Sequence, residues 1–298
     1  MNFKFIAIPI VIFLNSPIAH SEYISLLSGY QYSKHSYLPD DATLSSTIYG
    51  AKLDLSDWRL KEQGLFSRGL KLSYKQGINF QQLEAQVPVY HWHKHQGIWL
   101  QVSQQTKNMK VVVLEDKVFL NNQNSSIALG AGSKILAEHS INQYGLFWHE
   151  AIQYKAPLNL IGIFYHSEAS PAASNIFTNS ADIFDGLFTG FGLSVGRISD
   201  ERGANFQWKL NLAQLDLSFS DNATQHRAAS KKESRAQLID LEINWHYRYY
   251  LAPYWYLVPQ IKVGFSTIFQ TEENPESIEF KALNQLNTSS LISLQRRF

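Results

Sequence analysis

The sequence contains no cysteine among its 298 residues. This absence excludes disulfide bonds, thiolate metal sites and thiol nucleophiles. The formal net charge is only +1, with no basic stripe and no acidic tail, so nothing in the charge pattern indicates a nucleic-acid partner. Beyond the N-terminus, polar groups break every hydrophobic run before it reaches the roughly 18 residues of a membrane-spanning helix. Any contact with a membrane must therefore be made by strands.

The N-terminus has the pattern of a secretory signal peptide. Lys4 supplies a positive charge, residues 5–14 are almost wholly apolar, and residues 19–21 form a small-x-small cleavage site. This apolar run is too short for a membrane-spanning helix, which needs about 20 residues. We therefore expect residues 1–21 to be a cleaved signal peptide and residues 22–298 to be one exported domain.

The C-terminal third alternates between apolar and polar residues with the period of a β-strand. Ile239, Leu241 and Ile243 share one face, and Asp240 and Glu242 share the other. Residues 205–212 and 255–266 repeat this pattern, as expected for a barrel that is apolar outside and polar inside. A strand of a soluble β-sandwich would alternate in the same way, so alternation alone leaves both folds open.

Small residues mark the inner face of one predicted strand. Gly190, Gly192 and Gly196 share that face, opposite Phe191 and Leu193. This arrangement is typical of a crowded, curved inner wall. Bulges in a sandwich strand are the alternative interpretation.

The links between predicted strands alternate in length. Counting back from the C-terminus, long and short links take turns at 270–288, 251–253, 218–235, 198–204, 167–186 and 155–157. Bacterial outer-membrane barrels have short periplasmic turns and long outer loops in strict alternation. The sequence thus predicts an all-β fold, a single closed antiparallel transmembrane β-barrel.

The strand count is less well determined than the fold. Nine candidate strands lie upstream of the last five, at 22–33, 43–55, 67–76, 82–92, 96–105, 109–120, 125–136, 143–154 and 158–167. These add up to about 14 strands. Since residues 111–114 are continuously apolar, neighbouring candidates there can merge, and a barrel of 12 strands is the alternative.

The last residues resemble the C-terminal signal of bacterial outer-membrane β-barrel proteins. Ile292, Leu294 and Phe298 share one face, and the opposite face carries Ser293, Gln295 and Arg297. The resemblance implies that the barrel assembly machinery recognises Phe298 and that the chain resides in the outer membrane, in contact with its lipid and with lipopolysaccharide. The sequence departs from the family at Arg296, where an aromatic or aliphatic residue is usual.

Two sets of residues are predicted to meet the lumen and the membrane surface. Residues predicted to line the lumen are Lys209, Asp240, Glu242, His246, Arg248, Lys262 and Arg297. Because they carry both signs of charge, they either line a narrow aqueous channel or pair into a network that blocks it. Residues predicted to form an aromatic girdle near the periplasmic side are Trp245, Tyr247, Tyr249 and Trp255.

Catalytic groups are not evident. His166 and Ser167 are adjacent in a predicted strand and so point to opposite faces, which prevents a base–nucleophile pair. Outer-membrane phospholipases and lipid A deacylases pair a His with a Ser two residues on, and this spacing is missing here. We therefore predict no catalytic residue, no metal and no cofactor.

Three functions are compatible with these observations. The first is a channel or selective pore for small polar solutes. The second is a non-conducting barrel with a structural or surface-interaction role, resembling the translocator barrel of autotransporters without its passenger. The third is a lipid-modifying or proteolytic barrel enzyme. The sequence indicates no oligomeric state.

Overall fold

The structure is a computed structural model of the chain. It describes residues 23–36, 41–55, 64–65, 70–93, 96–112, 117–120, 126–151, 158–170, 186–201, 204–219, 234–271 and 282–297. The predicted signal peptide and Phe298 lie outside these residues. Within them, no helix is long and apolar enough to cross a membrane.

The described residues are organised almost entirely in strands. In chain order these are β1 (Tyr23–Ser36), β2 (Asp41–Asp54), β3 (Gly64–Leu65), β4 (Lys71–Gly77), β5 (Phe80–His93), β6 (Gln96–Val112), β7 (Lys117–Leu120), β8 (Ser126–Leu129), β9 (Lys134–Ala151), β10 (Leu158–Ser170), β11 (Gly186–Glu201), β12 (Ala204–Phe219), β13 (Ser234–Tyr247), β14 (Tyr249–Ala252), β15 (Trp255–Gln270) and β16 (Leu283–Arg297).

Twelve of these strands close into one antiparallel ring. Strand β1 pairs with β2 on one side and with β16 on the other, which joins the two ends of the sheet. The order around the ring is β1, β2, β4, β5, β6, β9, β10, β11, β12, β13, β15 and β16. Outside the ring, β3 pairs with β5, β14 extends β13 alongside β15, and β7 and β8 form a separate hairpin. The predicted all-β closed barrel is confirmed.

The ring has 12 strands, the alternative count, and not the leading prediction of about 14. The candidates 96–105 and 109–120 overlap a single strand, β6, and the candidates 125–136 and 143–154 overlap β9. Strands β6 and β9 pair without interruption from Gln96–Glu150 to Val112–Lys134. Polar residues in the middle of each strand look like turns in the sequence, but in the structure they continue the ladder.

The two ends of the barrel differ in their connections. We call the end where β1 begins and β16 ends the terminal end, and the opposite end the loop end. The loop end carries the long links 113–133, 171–185, 220–233 and 271–282, and the terminal end carries the shorter links 94–95, 152–157 and 202–203. The N-terminal half departs from this rule, since the link 55–70 at the terminal end is long and the links 37–40 and 78–79 on the loop side are short. The alternation predicted for the C-terminal half agrees with these bounds.

Side-chain polarity inverts along the strands. In the terminal half of β12, Lys209 and Asn211 point inward while Leu212 is exposed on the outside. Two residues later the pattern reverses, because Leu215 and Leu217 are buried inside while Gln214 and Asp216 are exposed. The outer face of β12 is therefore apolar only in its terminal half.

Strand β13 shows the same inversion. Ile239, Leu241 and Ile243 are exposed on its outer face in the terminal half. In the loop half, Ala236 and Leu238 are buried inside, with Arg235 and Gln237 exposed outside. Since β12 and β13 are neighbours, the two inversions fall at the same level of the barrel. On the terminal side of that level the barrel is apolar outside and polar inside, like a membrane protein. On the loop side it is polar outside and apolar inside, like a water-soluble protein.

The inward residues of the loop half form a hydrophobic core inside the barrel. Its buried members include Ala42, Leu44, Met109, Phe188, Leu215, Leu217, Ala236, Leu238, Ile268 and Leu283. Burying each large member stabilises the barrel by about 1.5–3 kcal/mol. These side chains come from seven of the twelve ring strands and form one buried cluster inside the lumen at the loop end.

Candidate functional site

A polar cavity of about 320 Å³ lies in the lumen. Its wall comes from alternate residues of the ring strands, because only every second side chain of a strand points inward. The charged residues in its middle section are Lys75, Glu84, Lys209, Asp240, Glu242 and Lys262. This section therefore holds equal numbers of positive and negative groups.

The charged groups on β12, β13 and β15 are held by short contacts. Lys262 Nζ lies 2.7 Å from Glu242 Oε2. Asn211 Nδ2 donates a hydrogen bond to Asp240 Oδ2 at 2.7 Å. Lys209 Nζ lies over the Phe147 ring, 4.6 Å from its centroid. The side chains of Lys262 and Glu242 are 24% and 31% exposed, so this ion pair faces the water of the cavity.

A second chain of contacts runs along β4 and β5 on another part of the wall. Lys75 Nζ donates to Gln82 Oε1 at 3.2 Å, and Gln82 Nε2 donates to Glu84 Oε1 at 2.6 Å. The amide of Gln82 thus links a cation to a carboxylate that does not touch it directly. Both charges remain in the cavity wall.

Towards the loop end, the cavity meets a buried group of side chains that we call the histidine–glutamate cluster, made of His35, His139, His166, Glu168 and Gln285. His139 Nε2 lies 2.9 Å from Glu168 Oε1, and His166 Nε2 lies 3.1 Å from Glu168 Oε2. The Gln285 amide also donates to Glu168. The His35 ring packs edge-on against the His139 ring, with centroids 4.5 Å apart.

This cluster joins four strands, β1, β9, β10 and β16, inside the lumen. All five of its side chains are buried. Among the described residues, no group of three or more His, Cys, Asp or Glu side chains is arranged to hold a metal ion. The cluster ties these strands together at the level of the hydrophobic core, since Glu168 pairs with Phe188 and His35 pairs with Ala42 across neighbouring strands.

The terminal end of the lumen contains a third group, which we call the vestibule: Tyr23, Lys52, Asp54, Lys71 and Arg248. The Tyr23 hydroxyl donates to Asp54 Oδ2 at 2.6 Å. Lys52 Nζ and Lys71 Nζ lie 3.9 Å and 3.8 Å from the same oxygen. The Arg248 guanidinium lies over the Tyr23 ring, 5.6 Å from its centroid.

The structure places the residues predicted to line the lumen in different surroundings. Lys209, Asp240, Glu242 and Lys262 lie in the cavity wall. His246 is half-buried on the inward face of β13, nearer the terminal end, and Arg248 belongs to the vestibule. Arg297 is exposed at the end of β16, and its backbone N–H donates to the Tyr254 carbonyl at 2.8 Å.

The predicted girdle residues lie at the terminal end. Trp245 and Tyr249 are 39% and 51% exposed. Tyr247 packs against Tyr249 with ring centroids 4.5 Å apart. Trp255 is half-buried beneath the Arg296 guanidinium, which lies 5.5 Å from its ring centroid.

The histidine–glutamate cluster and the lysines of the vestibule are not among the residues predicted from the sequence. His166 was considered only with Ser167, which lies half-buried on the opposite face. The partners of His166 are instead Glu168 on its own strand and Gln143 on β9. Charged residues at inward positions of neighbouring strands were the available signal, but pairing them requires the register between strands.

No protein-family model matches the sequence, and no curated protein matches it. Among solved structures, the outer membrane protease OmpT from Escherichia coli is similar at 8% identity and a TM-score of 0.33, over 93% of this chain and 97% of that one. The outer membrane protein Omp33 from Acinetobacter baumannii is similar at 9% identity and a TM-score of 0.33, over 94% of this chain and 98% of that one.

The chain has the fold of a bacterial outer-membrane β-barrel. Its even-numbered antiparallel ring, closed without a free edge, and the apolar outer face of its terminal half are the features of that fold.

Proposed function

We propose that this barrel is an outer-membrane channel for small polar solutes whose lumen is closed, in this conformation, by the hydrophobic core of its loop half. The cavity lined by charges of both signs carries the proposal. Mixed charges and narrow width select small polar solutes by electrostatic field and size. The half-buried Lys262–Glu242 ion pair lines the cavity and offers such a solute both a donor and an acceptor.

The location and orientation in the membrane are part of the same proposal. Residues 1–21 are removed on export, and the barrel assembly machinery inserts the chain through its C-terminal strand. The terminal end faces the periplasm, because short turns lie on that side in this fold. Lipid meets the apolar outer face, with Trp245, Tyr247, Tyr249 and Trp255 as its periplasmic girdle. Lipopolysaccharide forms the outer leaflet of that membrane, and the loop half projects from it into water.

The hydrophobic core acts as the closed gate in this proposal. Apolar constrictions block ions and polar solutes by excluding water. Leu215 and Phe188 are fully buried in this core. Opening the path requires these side chains to separate, which costs the free energy of their burial.

A second candidate is a non-conducting barrel with a structural or surface-interaction role. The buried histidine–glutamate cluster favours it, because it ties four strands together across the lumen at the level of the core. The cluster and the core would then together keep the lumen shut permanently. Conductance separates the two candidates.

The decisive experiment measures single-channel conductance in planar bilayers for the wild type and for the double variant Phe188→Ala with Leu215→Ala. The control is Leu193→Ala, at an outward residue that is 63% exposed. All three proteins are first shown to refold by heat-modifiable gel mobility. We expect rare, brief openings of the wild type and of the control, and sustained conductance of the double variant.

The other outcomes contradict the proposal in different ways. If neither the wild type nor the double variant conducts, the barrel is non-conducting and the second candidate stands. If the wild type conducts as strongly as the double variant, the core is not a gate.

A further inference from the structure

We infer that the vestibule at the terminal end is a binding site for small anions, that is, for a carboxylate or phosphate group of a solute entering from that end. This inference rests on the proposed function in one respect, namely that solutes enter the lumen there. Its evidence is the arrangement of Tyr23, Lys52, Asp54, Lys71 and Arg248.

Asp54 organises the vestibule but leaves its cations unsatisfied. Its side chain is 4% exposed, and its Oδ2 atom already accepts the Tyr23 hydroxyl at 2.6 Å. Lys52 Nζ and Lys71 Nζ approach the same oxygen only to 3.9 Å and 3.8 Å. Charge-assisted N–H···O bonds are about 2.7–2.9 Å long. The carboxylate therefore positions both ammonium groups without using their hydrogen-bonding capacity.

The vestibule has an excess of positive charge. Among the side chains that the structure describes in this group, Lys52, Lys71 and Arg248 supply three cations and Asp54 supplies one carboxylate. The middle of the cavity differs, since its charges of opposite sign are equal in number. A low-dielectric mouth with one sign of charge in excess concentrates ions of the opposite sign. Anions are therefore drawn to the terminal end of the lumen.

Both lysines are accessible from the cavity. The side chains of Lys52 and Lys71 are 39% and 34% exposed, and both line the cavity wall. Aromatic rings help to fix them, since Lys52 Nζ lies 5.6 Å from the Tyr23 ring centroid and Lys71 Nζ lies 6.0 Å from that of Trp99. An anion of phosphate size beside Asp54 can accept hydrogen bonds from both ammonium groups.

The test titrates inorganic phosphate into the refolded, full-length barrel in detergent micelles and follows binding by isothermal calorimetry. The variant is the double substitution Lys52→Gln with Lys71→Gln. The matched control, Lys110→Gln with Lys134→Gln, removes two exposed lysines of the loop half and changes the net charge equally. We expect phosphate to bind the wild type and the control alike, and the vestibule variant to bind roughly tenfold or more weakly.

Several results would overturn the inference. It fails if the wild type does not bind phosphate, or if both double variants lose affinity to the same extent. Should the double variant fail to refold, Lys71→Gln alone must weaken phosphate binding by several-fold while Lys71→Arg retains it. Because the titration requires no open lumen, binding without conductance would refute only the proposed channel. Conductance without binding would refute only the anion site.

Discussion

Lys107 on β6 donates a hydrogen bond to Asn287 on β16, with 2.7 Å between Nζ and Oδ1. These strands are not neighbours in the ring, so the bond crosses the lumen. The Lys107 side chain is fully buried. Side chains, and not solvent, occupy the lumen at this level, just below the hydrophobic core.

Asn287→Ala should destabilise the barrel, because it removes the acceptor of a buried ammonium group. A hydrogen bond to a charged group contributes about 1.5–3 kcal/mol, and an unsatisfied buried charge costs more. We expect the free energy of unfolding, measured by urea titration in lipid vesicles, to fall by about that amount. Asn284→Ala is the control, since Asn284 is exposed on the outer face of the same strand. Equal losses in both variants would show that the cross-lumen bond does not stabilise the barrel.

Glu168→Gln should weaken the histidine–glutamate cluster while keeping its shape. The carboxylate accepts from His139, His166 and Gln285, whereas an amide has one oxygen and adds two hydrogens of its own. We expect the temperature of the heat-modifiable gel shift to fall by several degrees, as for a loss of about 2 kcal/mol. Glu138→Gln, at an exposed outward position of β9, should leave the temperature unchanged. A Glu168 variant as stable as the Glu138 variant would contradict this role.

Gly190→Ala should impair folding, whereas Gly264→Ala should be tolerated. A methyl group at Gly190 would overlap the backbone carbonyl of Gln214 on β12. A methyl group at Gly264 would lie 3.7 Å from Asn287 Cβ, an ordinary contact. Overpacking of this kind costs about 1–3 kcal/mol. Folding yields into detergent micelles measure the difference, and equal yields would show that β11 does not need its small residues for close approach.

The sequence predicted the C-terminal half of the fold well. There, outward residues such as Leu212, Ile243 and Phe265 are apolar along each strand, so alternation is visible without knowing the neighbours. The prediction from the sequence failed where strands extend past the apolar outer face towards the loop end. In β6 and β9, outward residues such as Asn108 and Glu138 are polar and exposed, and the pattern there looks like a turn.

The inversion of polarity was present in the sequence but not recognised. Beyond Leu212, side chains of β12 continue to alternate between the two faces, but the apolar residues change face. Gln214 on the outer face is polar, and Leu215 on the inner face is apolar. Such a phase change has no explanation in a strand that meets one medium on each face throughout. It indicates that the medium outside changes from hydrocarbon to water and that the inside changes from a wet lumen to a core.

The candidate site was predictable only in part. Lys209, Glu242 and Lys262 follow from alternation along single strands. The contacts of His139 with Glu168, and of Lys52 with Asp54 beside Lys71, depend on partners brought close by pairing register and by the curvature of the ring. Neither quantity is specified by one strand.

Depth-dependent fluorescence quenching along β12 tests the central claim most directly. Because the chain has no cysteine, single cysteines at Leu210, Leu212, Gln214 and Asp216 can each carry one fluorophore. These residues lie on the outer face and cross the level at which polarity inverts. In vesicles of brominated lipid, we predict strong quenching of the fluorophores at 210 and 212. The fluorophore at 216 should be quenched only weakly and should show the emission spectrum of a water-exposed probe. Uniform quenching at all four positions, or quenching at none, would contradict the account.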